Sequence, residues 1–424
     1  MVMADIRPLR GTRYTSKAGE LAHLVAPPYD VISPAEREQL ANQNPHNVVL
    51  LTLPESEDGD RSKFVKYARS SSRLENWVNE GIMSPDPQPC FYRYLQTFTL
   101  HDGARIQRQS LIALIKVEPY DKGVVLPHEQ TFPKHKEDRL RVLEATRSHL
   151  ECIYGLHEDP DETIFKTVAS ASASETQRFT SDDGIEHIFE VIQDSKTLEC
   201  LVQLFKDRKI WIADGHHRYE TALGFRQTAG IHDKLIAEDF MMMALGSMED
   251  PGLVLLPTHR ILQRDPGDLR DKLIAPYWTI EDCPNERLMV TIEQIGQRGE
   301  RAFGVAMPGG DGFIIKVPDL NQVVEMVTGA GSVALKSLDV TILHDVIFAH
   351  HLGLTGLDFF GYTRVEQEAL DAVENGAFAS FLMNPPSVHD MRVIANGGEK
   401  MPQKSTYYHP KITSGLAVWR LSDF

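Results

Sequence analysis

Midway along the chain, residues 210–225 read IWIADGHHRYETALGF, an apolar stretch that runs into five ionisable or flexible positions and then a helical pattern. β-Branched and aromatic residues at 210–212 favour extended backbone. Tyr219, Ala222 and Leu223 have the spacing of one helix face. Asp214 and Gly215 therefore fall where a strand turns into a helix, and His216, His217 and Arg218 fall in the first helical turn.

Strands and helices interleave along the rest of the sequence. Ser33 caps a short helix opened by Pro34, and the continuous apolar run NVVLLTL at 47–53 predicts a buried strand. A helix is expected from about residue 60 to 79. Two strands at 90–100 and 108–117 are joined through Asp102-Gly103, a hairpin signal. Residues 136–149 predict a helix with Glu137 and Arg141 paired on one face. A helix at 195–206 leads into the strand before the turn, and MMMALGSM and LVLLPTHRIL follow as core strands. A helix and two strands are expected within 285–317, and an amphipathic helix at 338–352. This alternation gives a mixed α+β class. A Ser/Ala/Asp/Thr-rich stretch at 158–185, readable either as a linker or as an exposed helix, suggests an N-terminal α/β region over 1–160 and a C-terminal one over 161–424.

Bulk properties narrow the function. With 424 residues, 42% of them hydrophobic and 25% charged, the chain has the make-up of a folded protein of two or more domains. Sixty acidic against 44 basic residues give a net charge of −16, which repels phosphate backbones and anionic membranes, so nucleic acid is not the expected main partner. Four scattered cysteines without a CxxC pair suit a reducing cytoplasm and supply no thiolate zinc site. No apolar run is long enough to span a bilayer, and the expectation is a soluble cytoplasmic protein. Oligomeric state stays open.

At the turn, the unpartnered N–H groups of a helix start can bind an anion, Gly215 lets the backbone approach it, and Arg218 can fork onto a phosphate. His216 or His217 can act as acid or base near neutral pH. The plainer alternative makes Asp214 an N-cap paired with Arg218, with solvated histidines. Three further polar clusters stand out. In LPHEQTFPKHKEDRL, residues 126–140, His128, Glu129, Lys134, His135, Lys136 and Arg139 lie within twelve positions, but the histidines do not have the HExxH zinc spacing. MPQKSTYYHPK, residues 401–411, contains Lys404, Ser405, Thr406, His409 and Lys411 as candidate phosphate contacts, without the glycines of a Walker loop. APPYDVIS, residues 26–33, places Tyr29 and Asp30 after two prolines, a stiff loop that can hold a carboxylate for a metal or a substrate hydroxyl. Each cluster also has an ordinary reading as a capped helix start, an edge strand or a proline turn. His344, His350 and His351 read as packing or surface histidines, and Met241–Met243 as core.

Two resemblances attach to these stretches. IADGHHRYETA is similar to the Gly-x-x-Arg turn of the ParB/sulfiredoxin-like fold, whose members bind nucleotide phosphates there and include kinases of free serine; it implies such a core around 209–228. The stretches APPYDVIS, NPHNVV, LPHEQTFPKHKEDRL, ADGHHRYETAL and MPQKSTYYHPK together resemble the prokaryotic "domain of unknown function 1015" family over nearly the whole length. The resulting expectation is a phosphotransferase that uses ATP, ADP or another phosphate donor with Mg²⁺ on a small hydroxylated metabolite, free serine among the candidates. Gly215, His216, Arg218, His128, Glu129, Lys404, Ser405 and Thr406 are its candidate nucleotide or phosphate contacts. Asp214, His217, Asp30 and Lys134 are its candidate catalytic groups. Two other readings remain: a metal-dependent hydrolase built on His128, Glu129, His216 and His217, and a nucleotide-binding regulatory or DNA-partition module.

Overall fold

The computed structural model describes residues 4–129, 133–230, 233–273, 277–356, 358–402 and 404–424, with backbone alone for 133–135. The fold is mixed α+β, in two compact units. One comprises Met1–Pro127, Thr131–Val254 and Pro410–Phe424; the other comprises His128–Gln130 and Leu255–His409. These divisions fall elsewhere than the cut at 160 drawn from composition. The stretch 158–185 carries the helix Thr163–Ser170 and the strand Glu175–Thr180, both within the first unit.

The first unit is built on a nine-stranded mixed sheet. Its strands run in the order Val125–Leu126, Ile210–Asp214, Ile153–His157, Phe240–Ser247, Arg105–Lys116, Phe91–Thr99, Glu186–Ile192, Glu175–Thr180, with Ile6–Arg7 pairing alongside Arg105–Lys116. Phe240–Ser247 is buried along its whole length because both faces of the sheet are covered, so its sequence reads as a continuous apolar run. Met241, Met243 and Leu245 share one core with Ile153, Ile210, Ile212 and Tyr219. Phe91–Thr99 and Arg105–Lys116 form the expected hairpin, closed at Leu100–Ala104 with Gly103 at φ 85°.

One expected strand is a helix. Val49–Thr52 forms a single helical turn, and it is buried on almost every side. Asn47 explains the choice: its amide nitrogen donates to the carbonyls of His23 and Val25, 2.9 and 3.1 Å away, while its oxygen accepts from Val49 N–H at 2.9 Å. A short apolar run buried all round carries no periodicity that could separate strand from helix. The helix expected from about 60 begins later, at Val65. Ser33 caps Pro34–Gln43 as the sequence suggests, and Glu36 returns the bond by accepting from the Ser33 N–H at 2.7 Å. Arg141 pairs with Glu144 at 2.9 Å instead of Glu137.

A buried ion-pair network pins the N-terminal segment to this unit. The Arg13 guanidinium lies 2.6 Å from Asp86 and 2.8 Å from Glu175. Removing one partner of a buried pair leaves the other charge stranded. Arg13→Met is therefore expected to cost about 3 kcal/mol, read as a lower urea midpoint with an unchanged slope.

The second unit holds a six-stranded antiparallel sheet, in the order Thr279–Asp282, Phe313–Val317, Arg301–Ala306, Ala379–Leu382, His259–Leu262, Phe360–Thr363. The helix Leu288–Gln297 packs on it through Leu288, Ile292 and Ile295. The amphipathic helix expected at 338–352 is present as Asp339–Thr341 continued by a wider π-type winding at Ile342–His351.

Candidate functional site

The strand Ile210–Asp214 and the helix His216–Thr228 meet at Gly215 as the sequence suggests. Gly215 has φ 92°, and a Cβ there would stand 2.6 Å from Ile153 Cγ2, so both the backbone angle and the lack of space call for glycine. The pairing with Ile153–His157 shifts register between Ile212 and Asp214. Such a bulge re-aims the side chain at the strand end. Asp214 is consequently not the N-cap. Gly215 is, and no side chain caps the helix start.

Asp214 instead holds two cations. Its Oδ2 accepts from Arg218 Nη2 at 2.9 Å, and its Oδ1 accepts from Lys411 Nζ. All three side chains are largely buried, at 13%, 9% and 12% exposure for Asp214, Arg218 and Lys411. Burial by itself would raise the Asp214 pKa; Lys411 and Arg218, helped by His216, overcome it and hold the carboxyl at about 2. Asp214 is thus an ionised clamp at neutral pH and a poor proton acceptor.

Arg218 is committed on both Nη groups, the second donating to the Cys152 carbonyl at 2.8 Å, while its Nε is buried without a hydrogen bond. Burial opposes its charge, but Glu151, Asp214, Asp30 and Tyr29 more than compensate, so it stays protonated. The Tyr29 ring meets two guanidinium groups, Arg139 at 4.0 Å and Arg218 at 5.7 Å from its centroid. Burial and Asp30 push the Tyr29 hydroxyl up to about 12 against those cations, so it remains a hydrogen-bond donor. Asp30 is exposed beside it, with no hydrogen bond or ion pair among the described residues.

Glu151 organises the back of the site. Its Oε1 accepts from Tyr29 N–H at 3.0 Å and Ser414 Oγ at 3.1 Å, and its Oε2 lies 3.8 Å from Arg139. One carboxylate thereby ties the proline loop and the C-terminal segment to the helix Pro133–Thr146. A cleft of about 450 Å³, including space open to solvent, is lined by Arg139, Glu151, Arg218, Ser148 and Thr221 among others. Lys136, on the same helix as Arg139, pairs with Glu220 at 2.8 Å.

Of the residues singled out from sequence, Asp30, Asp214, Gly215, His216, His217 and Arg218 belong to this unit. His128, Glu129, Lys404, Ser405 and Thr406 belong to the other. There His128 Nε2 is 2.8 Å from Thr406 Oγ1, Met401 N–H donates to the His128 carbonyl at 2.7 Å, and Ser405 Oγ bonds the Pro402 carbonyl. The side chain of Lys134 lies outside the described residues. Lys411 was visible as part of a polar run, but nothing local marked it out from Lys404. Glu151 carried no signal, since it precedes an apolar strand like any boundary residue.

Among the described residues no group of three or more His, Cys, Asp or Glu is placed to hold a metal ion. Both Asp214 oxygens and both Glu151 oxygens face protein donors or cations, whereas the Asp30 side chain is exposed. No helix among them is long and apolar enough to cross a membrane.

The family model described as "Protein of unknown function (DUF1015)" matches residues 6–341. No curated protein matches the chain. Solved structures with similarity include a free serine kinase mutant in complex with ADP, at 13% identity and TM-score 0.38, covering 74% of this chain and 94% of that one. A conserved hypothetical protein from Pyrococcus furiosus has 16% identity and TM-score 0.35, covering 74% and 97%. SbnI from Staphylococcus aureus, truncated at its C-terminus, has 10% identity and TM-score 0.36, covering 73% and 88%.

Proposed function

The chain belongs to the DUF1015 family, of unknown function, and from its site we propose a phosphotransferase that moves a phosphoryl group from a nucleotide or other phosphate donor to a small hydroxylated metabolite. One observation carries this reading. A helix start with no side-chain cap follows a left-handed glycine, and beside it two buried cations are clamped on one carboxylate. Phosphoryl transfer asks little covalent chemistry of a protein; it needs oriented N–H donors, fixed positive charge and a proton acceptor. The amides of His216, His217 and Arg218 would hold a donor phosphate, with Gly215 allowing its close approach. Lys411 and Arg218 would stabilise charge gathering on the phosphate oxygens, already oriented by Asp214 before the donor arrives.

Asp30 and His217 are the proposed acceptors of the hydroxyl proton, because the low pKa of Asp214 removes it from that role. Mg²⁺ bound with the donor would neutralise its phosphates, and Asp30 is the residue proposed to orient it. The resemblance of the Gly215–Arg218 turn puts free serine first among acceptors. Phosphorus NMR of the protein with ATP, ADP, CTP or pyrophosphate and a panel of hydroxy metabolites tests the proposal. Consumption of one donor only when its acceptor is present is expected, with Lys411→Met slower by about 100-fold or more. No consumption with any donor and acceptor would sink it.

A further inference from the structure

Arg260 occupies the middle of the second unit's sheet with no acid to answer it. It lies on the strand His259–Leu262, 1% exposed, in register with Tyr362 on one neighbour and Phe381 on the other. All its acceptors are neutral: His344 Nε2 at 3.1 Å, Met383 Sδ at 3.2 Å, the Lys404 carbonyl at 3.3 Å, and the Thr258 carbonyl. Burial first, and then Arg364, hold its pKa down to about 10. Burial and Arg260 likewise hold His344 at about 3, so that ring is neutral and can accept the bond.

Arg364 follows the end of the strand Phe360–Thr363, near enough for its charge to hold the Arg260 pKa down. Its guanidinium covers the Tyr407 ring at 4.5 Å. Its Nε is buried with no hydrogen bond, and so is the Tyr362 hydroxyl. Among the described residues neither arginine forms an ion pair. Lys404, whose carbonyl meets Arg260, has φ 58°, a left-handed angle rare for a side-chain-bearing residue. Arg260 also lies over the Tyr362 ring at 5.6 Å, so a buried cation, a second cation within its electrostatic reach and two unused donors are gathered around Tyr362 and Arg364.

We propose that Arg260, Tyr362 and Arg364 form an anion site whose ligand is a phosphate dianion, free or as a phosphomonoester. Two guanidinium charges within electrostatic reach of one another, one of them fully buried, repel and are costly to leave unpaired. A dianion neutralises both; a monocarboxylate would leave one over. Arg364 supplies the planar fork that suits phosphate, starting with its unused Nε–H. The Tyr362 hydroxyl supplies a third donor. Arg260, with four of its five hydrogens engaged, contributes mainly charge. The proposal does not depend on the activity proposed at the turn Asp214–Arg218.

Calorimetric titration of inorganic phosphate at low ionic strength into the full chain tests this, in a Lys411→Met background that weakens the other phosphate site. Arg364→Gln is expected to weaken phosphate about tenfold or more, and Tyr362→Phe by less. Phosphate should raise the melting temperature of the Lys411→Met protein and not that of its Arg364→Gln form. In phosphate-free buffer the Arg364→Gln form should melt no lower than its parent, since one uncompensated charge is gone. Unchanged affinity and stoichiometry in Arg364→Gln would overturn the site. So would a lower phosphate-free melting temperature, which would make Arg364 a packing residue on Tyr407. Glycerol phosphate binding alone identifies an ester ligand and inorganic phosphate alone the free ion; acetate binding as tightly as either would overturn the dianion assignment.

Discussion

Asp214→Ala is expected to lower stability by about 3–5 kcal/mol, the loss seen when one partner of a buried ion pair is removed. The cost comes from what stays behind. Lys411 and Arg218 are nearly inaccessible to water and would be left as adjacent cations without their shared carboxylate. Asp214→Asn should cost nearly as much, because it keeps the shape and removes the charge. Urea unfolding reads the effect, and a shift below about 1 kcal/mol would mean that solvent reaches the cations.

The pH dependence has a defined sign. The Asp214 pKa is depressed to about 2 from 3.8, so its contribution is complete above pH 4 and is lost as pH falls toward 2. His149, His157, His187 and His259 are each held at about 4 by burial, against 6.5 when solvated. Between pH 6.5 and 4 the unfolded chain binds protons that these buried rings refuse, so stability rises with pH across that range. Melting temperature is expected to fall first in the histidine window, and Asp214→Ala should remove only the later decline. A flat profile from pH 7 to 4.5 would contradict the burial of these rings.

Gly215→Ala is the second large effect. The left-handed φ of 92° costs an L-residue about 1–2 kcal/mol. Overpacking the new methyl against Ile153 adds about 1–3 kcal/mol, because Ile153 is wholly buried at the centre of the sheet. The methyl would also stand 3.1 Å from Arg218 Nη2, at the heart of the clamp. Loss of phosphate binding is expected along with loss of stability. Shortening the neighbour, in Gly215→Ala with Ile153→Ala, should leave the angular strain and relieve part of the clash. If Gly215→Ala unfolds like the unaltered protein, the turn does not have the conformation described.

The strand, the turn and the helix at 210–228 were legible because their residues are adjacent in the chain, and local propensity and periodicity act over that range. The helix at 49–52 was not, since its identity depends on Asn47 reaching two carbonyls more than twenty residues away. The site was legible by halves. Asp214, Gly215 and Arg218 could be picked out, but Lys411 lies 197 residues further on, and no local pattern links it to Asp214. Two polar clusters that look single in sequence are divided between units. Within 126–140, His128 and Glu129 belong to one and Lys136 and Arg139 to the other; within 401–411 the chain changes unit after His409.

The central proposal is that the turn Asp214–Arg218, backed by Lys411, holds a donor phosphate. Its most direct test is calorimetric titration of ATP, ADP and pyrophosphate, with Mg²⁺, into the unaltered protein, Lys411→Met and Arg364→Gln. At least one of these ligands should bind the unaltered protein, Lys411→Met should weaken its tightest binding step about tenfold or more, and Arg364→Gln should leave that tightest step in place. No heat with any ligand, or equal affinity in Lys411→Met, would contradict the proposal.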